Sequence, residues 1–167
     1  MTESPTSPIL IGHGYDLHRK VKGRKLILGG VEIESDFGLL GHSDADCLTH
    51  ALSDAILGAL ALPDIGYYFP DNEAKNKDIK SLIILKKAVN EAKRLGYIVG
   101  NVDTTLILET PKILPYRDAI KKSLSECIGV TQNRVGVKAT TNEQIGAIGR
   151  DEGIAAFAVC TLYKNID

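Results

Sequence analysis

Asp44-Ala45-Asp46-Cys47-Leu48-Thr49-His50-Ala51-Leu52-Ser53-Asp54-Ala55-Ile56-Leu57-Gly58-Ala59-Leu60-Ala61-Leu62 reads as a helix. Leu48, Ala51, Leu52, Ala55, Ile56 and Ala59 recur at three- and four-residue steps, an apolar stripe on one side. Ser43 suits the N-cap and Asp46 the third helical position, close to a capping box, and Pro63 closes the segment. Asp46, His50 and Asp54 recur every four residues and stack on a second face. A helix with one apolar stripe needs a sheet or another helix to cover it. The flanking text supplies both. Pro8–Gly12 starts a strand that runs on into Asp16 and His18. Lys25–Leu28 and Val31–Ile33 flank Gly29-Gly30 as a hairpin. Lys80–Leu95 is a second amphipathic helix closed by Gly96. Val99–Glu109 alternates as a strand, Tyr116–Ile128 is a helix stopping at Gly129, and Arg134–Ala139 is a strand. Thr140–Gly146 looks like a helix start, and Gly153–Tyr163 is the last strand. Strands alternating with helices, plus a hairpin, predict an α+β fold: a two-layer α/β sandwich with a mixed β-sheet and helices on one face.

The chain has 167 residues, 44% hydrophobic and 25% charged, with a formal net charge of -1. That length suits one domain with a sizeable core. The absence of a basic excess argues against nucleic acid as a partner, and no apolar run is long enough to span a bilayer. Residues 1–8 are polar and proline-rich and read as a flexible tail before a single domain over 9–167. The tail lacks the basic start and apolar centre of a signal peptide, and is too short and too poor in arginine for a transit peptide. Cys47, Cys127 and Cys160 are odd in number, scattered and in apolar contexts. They read as reduced core thiols of a cytoplasmic protein.

Three residues carry the chemistry. In Ile11-Gly12-His13-Gly14-Tyr15-Asp16-Leu17-His18, an extended backbone turns Asp16 and His18 to the same side and Leu17 into the core. His50 comes from the helix. Two imidazoles and one carboxylate leave one tetrahedral position free, the donor set of a catalytic rather than a structural zinc. Asp46 and Asp54, each one turn from His50, could accept its free N–H; equally, both could be solvated helix carboxylates, or Asp46 could only cap the helix through its dipole. Thr140-x-x-Glu143 reads as a capping box, and a helix start is also an anion site.

Seven motifs occur in fixed order. They are Gly12-His-Gly-Tyr-Asp-Leu-His-Arg19, His42-Ser-Asp-Ala-Asp46, Asp64-Ile-Gly-Tyr-Tyr-Phe-Pro-Asp71, Gly100-Asn-Val-Asp103, Pro111-Lys-Ile-Leu-Pro115, Val137-Lys-Ala-Thr-Thr-Asn-Glu143 and Gly149-Arg-Asp-Glu-Gly-Ile-Ala155. Together, from Ile11 to Tyr163, the chain closely resembles the 2-C-methyl-D-erythritol 2,4-cyclodiphosphate synthases of the non-mevalonate isoprenoid pathway. The resemblance implies a homotrimer with an active site at each subunit interface. It implies cyclisation of a cytidine diphosphate-linked methylerythritol phosphate with release of CMP. The nucleophile is then a substrate phosphate oxygen, already anionic, so no Ser-His-Asp or Cys-His set is needed. What remains is in-line positioning and cancellation of negative charge.

By the same resemblance, Asp16, His18 and His50 hold zinc or another divalent transition metal, and Glu143 holds magnesium or manganese. Thr140 and Thr141 contact phosphate. Leu108, Lys112, Ile113 and Leu114 line the cytosine pocket, with Lys112 near the nucleotide phosphates. His42, Ser43 and Asp64 hold the methylerythritol end, with Asp71 nearby. Arg150 sits near the trimer axis, where a cavity can hold an isoprenoid diphosphate. Asn142 departs from the threonine common there, and Ala147 from a common aromatic. On the residues alone, Thr110–Pro115 is equally a rigid turn, His42 a loop residue, Asp71 a turn former and Arg150 a surface charge. Two other functions use the same residues: a zinc-dependent phosphohydrolase, and a non-catalytic trimer that binds metal and nucleotide.

Overall fold

A computed structural model describes residues 9–165; the expected tail over 1–8 lies outside them. Strand β1 (Ile9–Lys22) is the spine. It is followed by β2 (Leu26–Leu28), β3 (Val31–Ile33) and β4 (Phe37–Leu39), then helix α1 (Cys47–Ala59). The rest runs α2 (Ile65–Tyr68), α3 (Ser81–Arg94), β5 (Tyr97–Ile107), α4 (Arg117–Ile128), β6 (Val135–Thr140), α5 (Gly146–Gly149) and β7 (Gly153–Lys164). Five strands form one mixed sheet in the order β4-β1-β7-β5-β6, and β2 and β3 form a separate hairpin sheet. Among the described residues only β5 and β6 pair in parallel, joined through α4 as such a crossover requires. The two-layer α+β sandwich is therefore as expected, with α1, α3 and α4 on one face. Among the described residues no helix is long and apolar enough to cross a membrane.

Alternation in β1 decides where the site lies. Leu10, Gly12, Gly14, Asp16, His18 and Lys20 face the helix layer, whereas Ile9, Ile11, His13, Tyr15 and Leu17 face the other way. Gly12 and Gly14 let α1 approach the strand backbone: a Cβ on Gly12 would sit 1.8 Å from the Ala55 carbonyl oxygen, and one on Gly14 1.9 Å from that of Ala51. Small residues on both partners thus bring His50, next to Ala51, over Asp16. The expectation that Leu17 points into the core is wrong. It is 47% exposed on the open face of the sheet, among Ile11, Tyr15, Phe157 and Val159. Alternation told Leu17 apart from Asp16 correctly, but not which face the helices cover.

Helix α1 begins later than expected. Asp46, not Ser43, is its N-cap, accepting from the Thr49 amide. The carboxylate also takes the Gly29 amide at 2.9 Å, the Gly30 amide at 2.6 Å and the Thr49 hydroxyl at 2.6 Å. It thereby pins the β2–β3 hairpin to the start of α1. Both glycines have positive φ, at 61° and 74°, which presents their two N–H groups to one carboxylate. The other expected capping box fails. Thr140 ends β6, Glu143 and Gln144 adopt left-handed φ of 50° and 61°, and the four-residue α5 starts only at Gly146 with no side-chain cap. Residues 141–145 form a turn instead, so no helix starts at Thr140.

Candidate metal centre

Asp16 and His18 project from β1 and His50 from α1, and their donor atoms converge. Asp16 Oδ2 lies 2.9 Å from His18 Nε2 and 3.0 Å from His50 Nδ1, and the two nitrogens are 3.4 Å apart. Tetrahedral zinc with bonds of about 2.0–2.2 Å needs ligand atoms about 3.3–3.5 Å apart. The triangle is slightly tighter, and small side-chain rotations open it to that size, so the donor set fits such an ion with its fourth position free. The ring of His18 is held from behind, because Nδ1 lies 2.7 Å from the Leu40 carbonyl oxygen. A carbonyl can only accept, so Nδ1 carries a proton and Nε2 is the nitrogen turned to the triangle, where a bound ion would take its lone pair. Gly41 leaves room for that ring: a Cβ there would be 3.0 Å from His18 Cε1.

Burial alone would raise the Asp16 carboxyl, but hydrogen bonds and charge from His18 and His50 outweigh it and hold the group well below the usual carboxylate range. Burial likewise disfavours a charged His18, yet Asp16 beside it and the Leu40 carbonyl lift the ring above its ordinary 6.5. Both shifts have the same origin, an anionic oxygen facing two imidazoles, which is also what a cation would find there.

The triangle opens into a cavity of about 260 Å³ whose lining includes His42, Ser43, Ile65, Phe69 and Asp71. His42 Nε2 is buried with no hydrogen-bond partner among the described residues, a polar atom free for a ligand. Asp64 caps α2 by accepting from the Tyr67 amide at 3.2 Å. Asp46 and Asp54 do not hold His50, contrary to expectation. Asp46 is saturated by the hairpin and Thr49, and Asp54 accepts the Ile65 amide at 2.9 Å. The free nitrogen of His50 instead meets Ser81 Oγ at 2.8 Å and Ser43 Oγ at 3.2 Å. Ser81 starts α3, 31 residues away; helix periodicity within α1 carried no sign of it.

The remaining expected residues do not join this cluster within one chain. Ile113 and Leu114 line a separate depression of about 310 Å³ with Arg117 and Val137–Ala139. Lys112 lies on the adjoining loop. Leu108 is buried in the core, so any ligand contact from it comes through its backbone. The Thr141 hydroxyl donates to Glu143 Oε1 at 2.7 Å, and Glu109 accepts the Asn142 amide at 2.9 Å, which shapes the 141–145 turn. Arg150 is exposed and paired with Glu152. Lys20 escaped sequence reading. Its ammonium donates to the Thr110 carbonyl at 2.8 Å, binds Asp151, and lies 4.0 Å from the Phe37 ring centroid, which ties the start of the 110–115 loop to β1. Cys47 and Cys160 are buried, Cys127 is half-buried, and all three are free.

Fold and cluster define an α+β protein with an open site of two histidines and one carboxylate, set where a glycine-rich strand meets a helix. The model of the YgbB family matches residues 9–163. A 2-C-methyl-D-erythritol 2,4-cyclodiphosphate synthase of Chlorobaculum tepidum is 53% identical over 152 residues, 91% of this chain and 97% of that relative. Among solved structures, an IspF of Plasmodium falciparum in complex with CDP has a TM-score of 0.83 at 36% identity, covering 96% of this chain and 99% of the other. The bifunctional IspDF of Campylobacter jejuni has a TM-score of 0.91 at 38% identity, with 96% of this chain covered; this chain spans only 43% of that longer protein. The chain belongs to the YgbB family of cyclodiphosphate synthases.

Proposed function

We propose that Asp16, His18 and His50 form the metal centre of a cyclodiphosphate synthase. The chain converts 4-diphosphocytidyl-2-C-methyl-D-erythritol 2-phosphate to 2-C-methyl-D-erythritol 2,4-cyclodiphosphate with release of CMP, as a phosphorus–oxygen lyase of non-mevalonate isoprenoid biosynthesis. The observation that carries this reading is the donor triangle of 2.9, 3.0 and 3.4 Å beside an open cavity.

In the reaction an oxygen of the 2-phosphate attacks the β-phosphorus, a P–O bond closes the ring, and the bond to the α-phosphate breaks, with its electron pair leaving on CMP. Asp16, His18 and His50 would hold zinc or a similar divalent ion and Glu143 magnesium or manganese, and these ions would supply Lewis acidity and cancel charge on the diphosphate. The protein positions the rest. His42, with its orphaned Nε2, Ser43, Asp64 and Asp71 hold the methylerythritol end. Lys112 neutralises the nucleotide phosphates and Thr141 orients them, with Thr140 beside them, and the backbone of Leu108–Leu114 receives cytosine. Lys20, through Thr110, keeps that loop in place.

The metal side and the nucleotide side come from different subunits of a homotrimer. In support, the sheet face without helices carries Ile11 (71% exposed), Tyr15, Leu17, Phe157 and Val159, an apolar surface that needs cover. Arg150 would face the trimer axis and bind an isoprenoid diphosphate in a central cavity. The free thiols suit a reducing, cytoplasmic compartment.

The products decide the function. Incubated with the diphosphocytidyl substrate and divalent metal, the protein is expected to yield cyclic diphosphate and CMP in equal amounts by phosphorus NMR. Inorganic phosphate would indicate a hydrolase, and unchanged substrate a binding protein.

A further inference from the structure

The second nitrogen of His50 faces two hydroxyls that ask for opposite things. Ser43 Oγ, 3.2 Å away, already accepts the Ala45 amide at 3.0 Å and keeps its proton free to donate. Were it to donate to Nε2, the His50 proton would be on Nδ1, pointing into the donor triangle and blocking a metal. Ser81 Oγ, 2.8 Å away, is committed differently. Its hydroxyl donates to Asp44 Oδ1, and its amide donates to Asp44 Oδ2 at 3.0 Å. A carboxylate accepts only, so the Ser81 hydroxyl proton points at Asp44 and its lone pairs at His50. Ser81 is fully buried and reaches no water that could compete. The loop around Asp44 is locked to the start of α3 by two backbone bonds, Asp44 amide to Ile79 carbonyl at 3.1 Å and Asp78 amide to His42 carbonyl at 2.8 Å.

We infer that Asp44 and Ser81 are positioning residues for the metal centre: the chain Asp44–Ser81–His50 forces the proton of His50 onto Nε2 and aims the Nδ1 lone pair at the metal. Leu40 does the same for His18 with a carbonyl. Asp16 Oδ2, 3.0 Å from His50 Nδ1, holds a proton on that nitrogen until an ion displaces it, so what the chain fixes is the Nε2 proton and the orientation of the ring, and the order of the loop between α2 and α3 is coupled to metal affinity. This rests on the metal reading of the triangle, but its two readouts separate from it.

The first readout is spectroscopic. Nitrogen and proton NMR of the histidines in the full-length zinc-loaded protein is expected to show His50 with its proton on Nε2, hydrogen-bonded to Ser81. In Asp44→Asn, whose amide can donate as well as accept, and in Ser81→Ala, the Nε2–H resonance should move and exchange faster with water. The second readout is zinc affinity by competition with a chromophoric chelator. Both variants should lose about 10- to 100-fold, the usual cost of removing a partner of a ligating histidine, with unaltered circular dichroism, and Ser81→Thr should recover most of it. Cobalt substituted into each variant should show an altered visible spectrum, which a merely structural residue would not change. An Nε2–H resonance that neither variant moves, or wild-type zinc affinity in both variants, overturns the inference. Failure of the wild-type protein to bind zinc at all would overturn the metal reading instead, while the Nε2–H resonance of the metal-free ring in the two variants still judges the chain from Asp44 to His50.

Discussion

Replacing His50 by alanine removes one corner of the donor triangle while taking little apolar area from the core. The His50→Ala protein is expected to fold and assemble normally, to lose its zinc, and to release CMP more slowly by more than about 100-fold, beyond the 10- to 100-fold typical of losing a residue behind a ligand. Metal analysis and a CMP assay check this; retained zinc with near-normal turnover would remove His50 from the site. The electrostatics of Asp16 and His18 give a pH dependence. In the metal-free protein His18 titrates above its ordinary 6.5, so its contribution to stability is fully present below pH 6.5 and fades as the pH rises through the folded value. Metal binding has the opposite sense, since it needs the neutral ring. Zinc affinity should fall at least about tenfold per pH unit once the pH drops below the His18 value, with Asp16 still ionised because its own pKa is depressed. Calorimetry from about pH 8 down to about pH 5 tests it; a flat profile would contradict the shared proton and metal site. Asp16, His18 and His50 were legible in the sequence because residue type and alternation name them. Ser81 and Asp44 were not, because their role depends on a contact between two helix starts that no local pattern encodes.

At the scale of elements, the close approach of α1 to β1 makes the site. A methyl group at Gly14 would meet the Ala51 carbonyl oxygen at 1.9 Å, a backbone atom that cannot swing aside. Gly14→Ala should therefore cost about 3 kcal/mol or more, the upper end of overpacking, and weaken zinc binding as α1 is pushed from Asp16. Denaturant unfolding with a parallel zinc titration measures both, and a stability change within about 0.5 kcal/mol would show that the helix does not depend on the glycine surface. Periodicity revealed α1, α3, α4 and β5 because each buries one side, and Gly29-Gly30 revealed the hairpin. It misplaced the cap of α1, since the choice between Ser43 and Asp46 is made by the distant amides of Gly29 and Gly30. It also read a helix into Thr140–Glu143, where Glu109 and left-handed backbone at Glu143 and Gln144 shape a turn instead.

For the whole molecule, the exposed apolar face is what sequence pattern alone could not interpret. Leu17 alternates with Asp16 as a core residue would, yet no helix among the described residues covers it. The proposed trimer would supply that cover, and would also bring the loops assigned to the nucleotide, which stand apart from the metal cluster in one chain, to the metal site of a neighbour. The central claim is therefore a site built from two chains, and subunit mixing tests it most directly. His50→Ala and Lys112→Ala should each be nearly inactive alone and still form trimers. Denatured and refolded together, with mixed trimers confirmed by mass, they should regain CMP release, because some interfaces then join an intact metal side from one chain to an intact nucleotide side from another. Mixed trimers as inactive as either parent would contradict it and place each complete site within a single subunit.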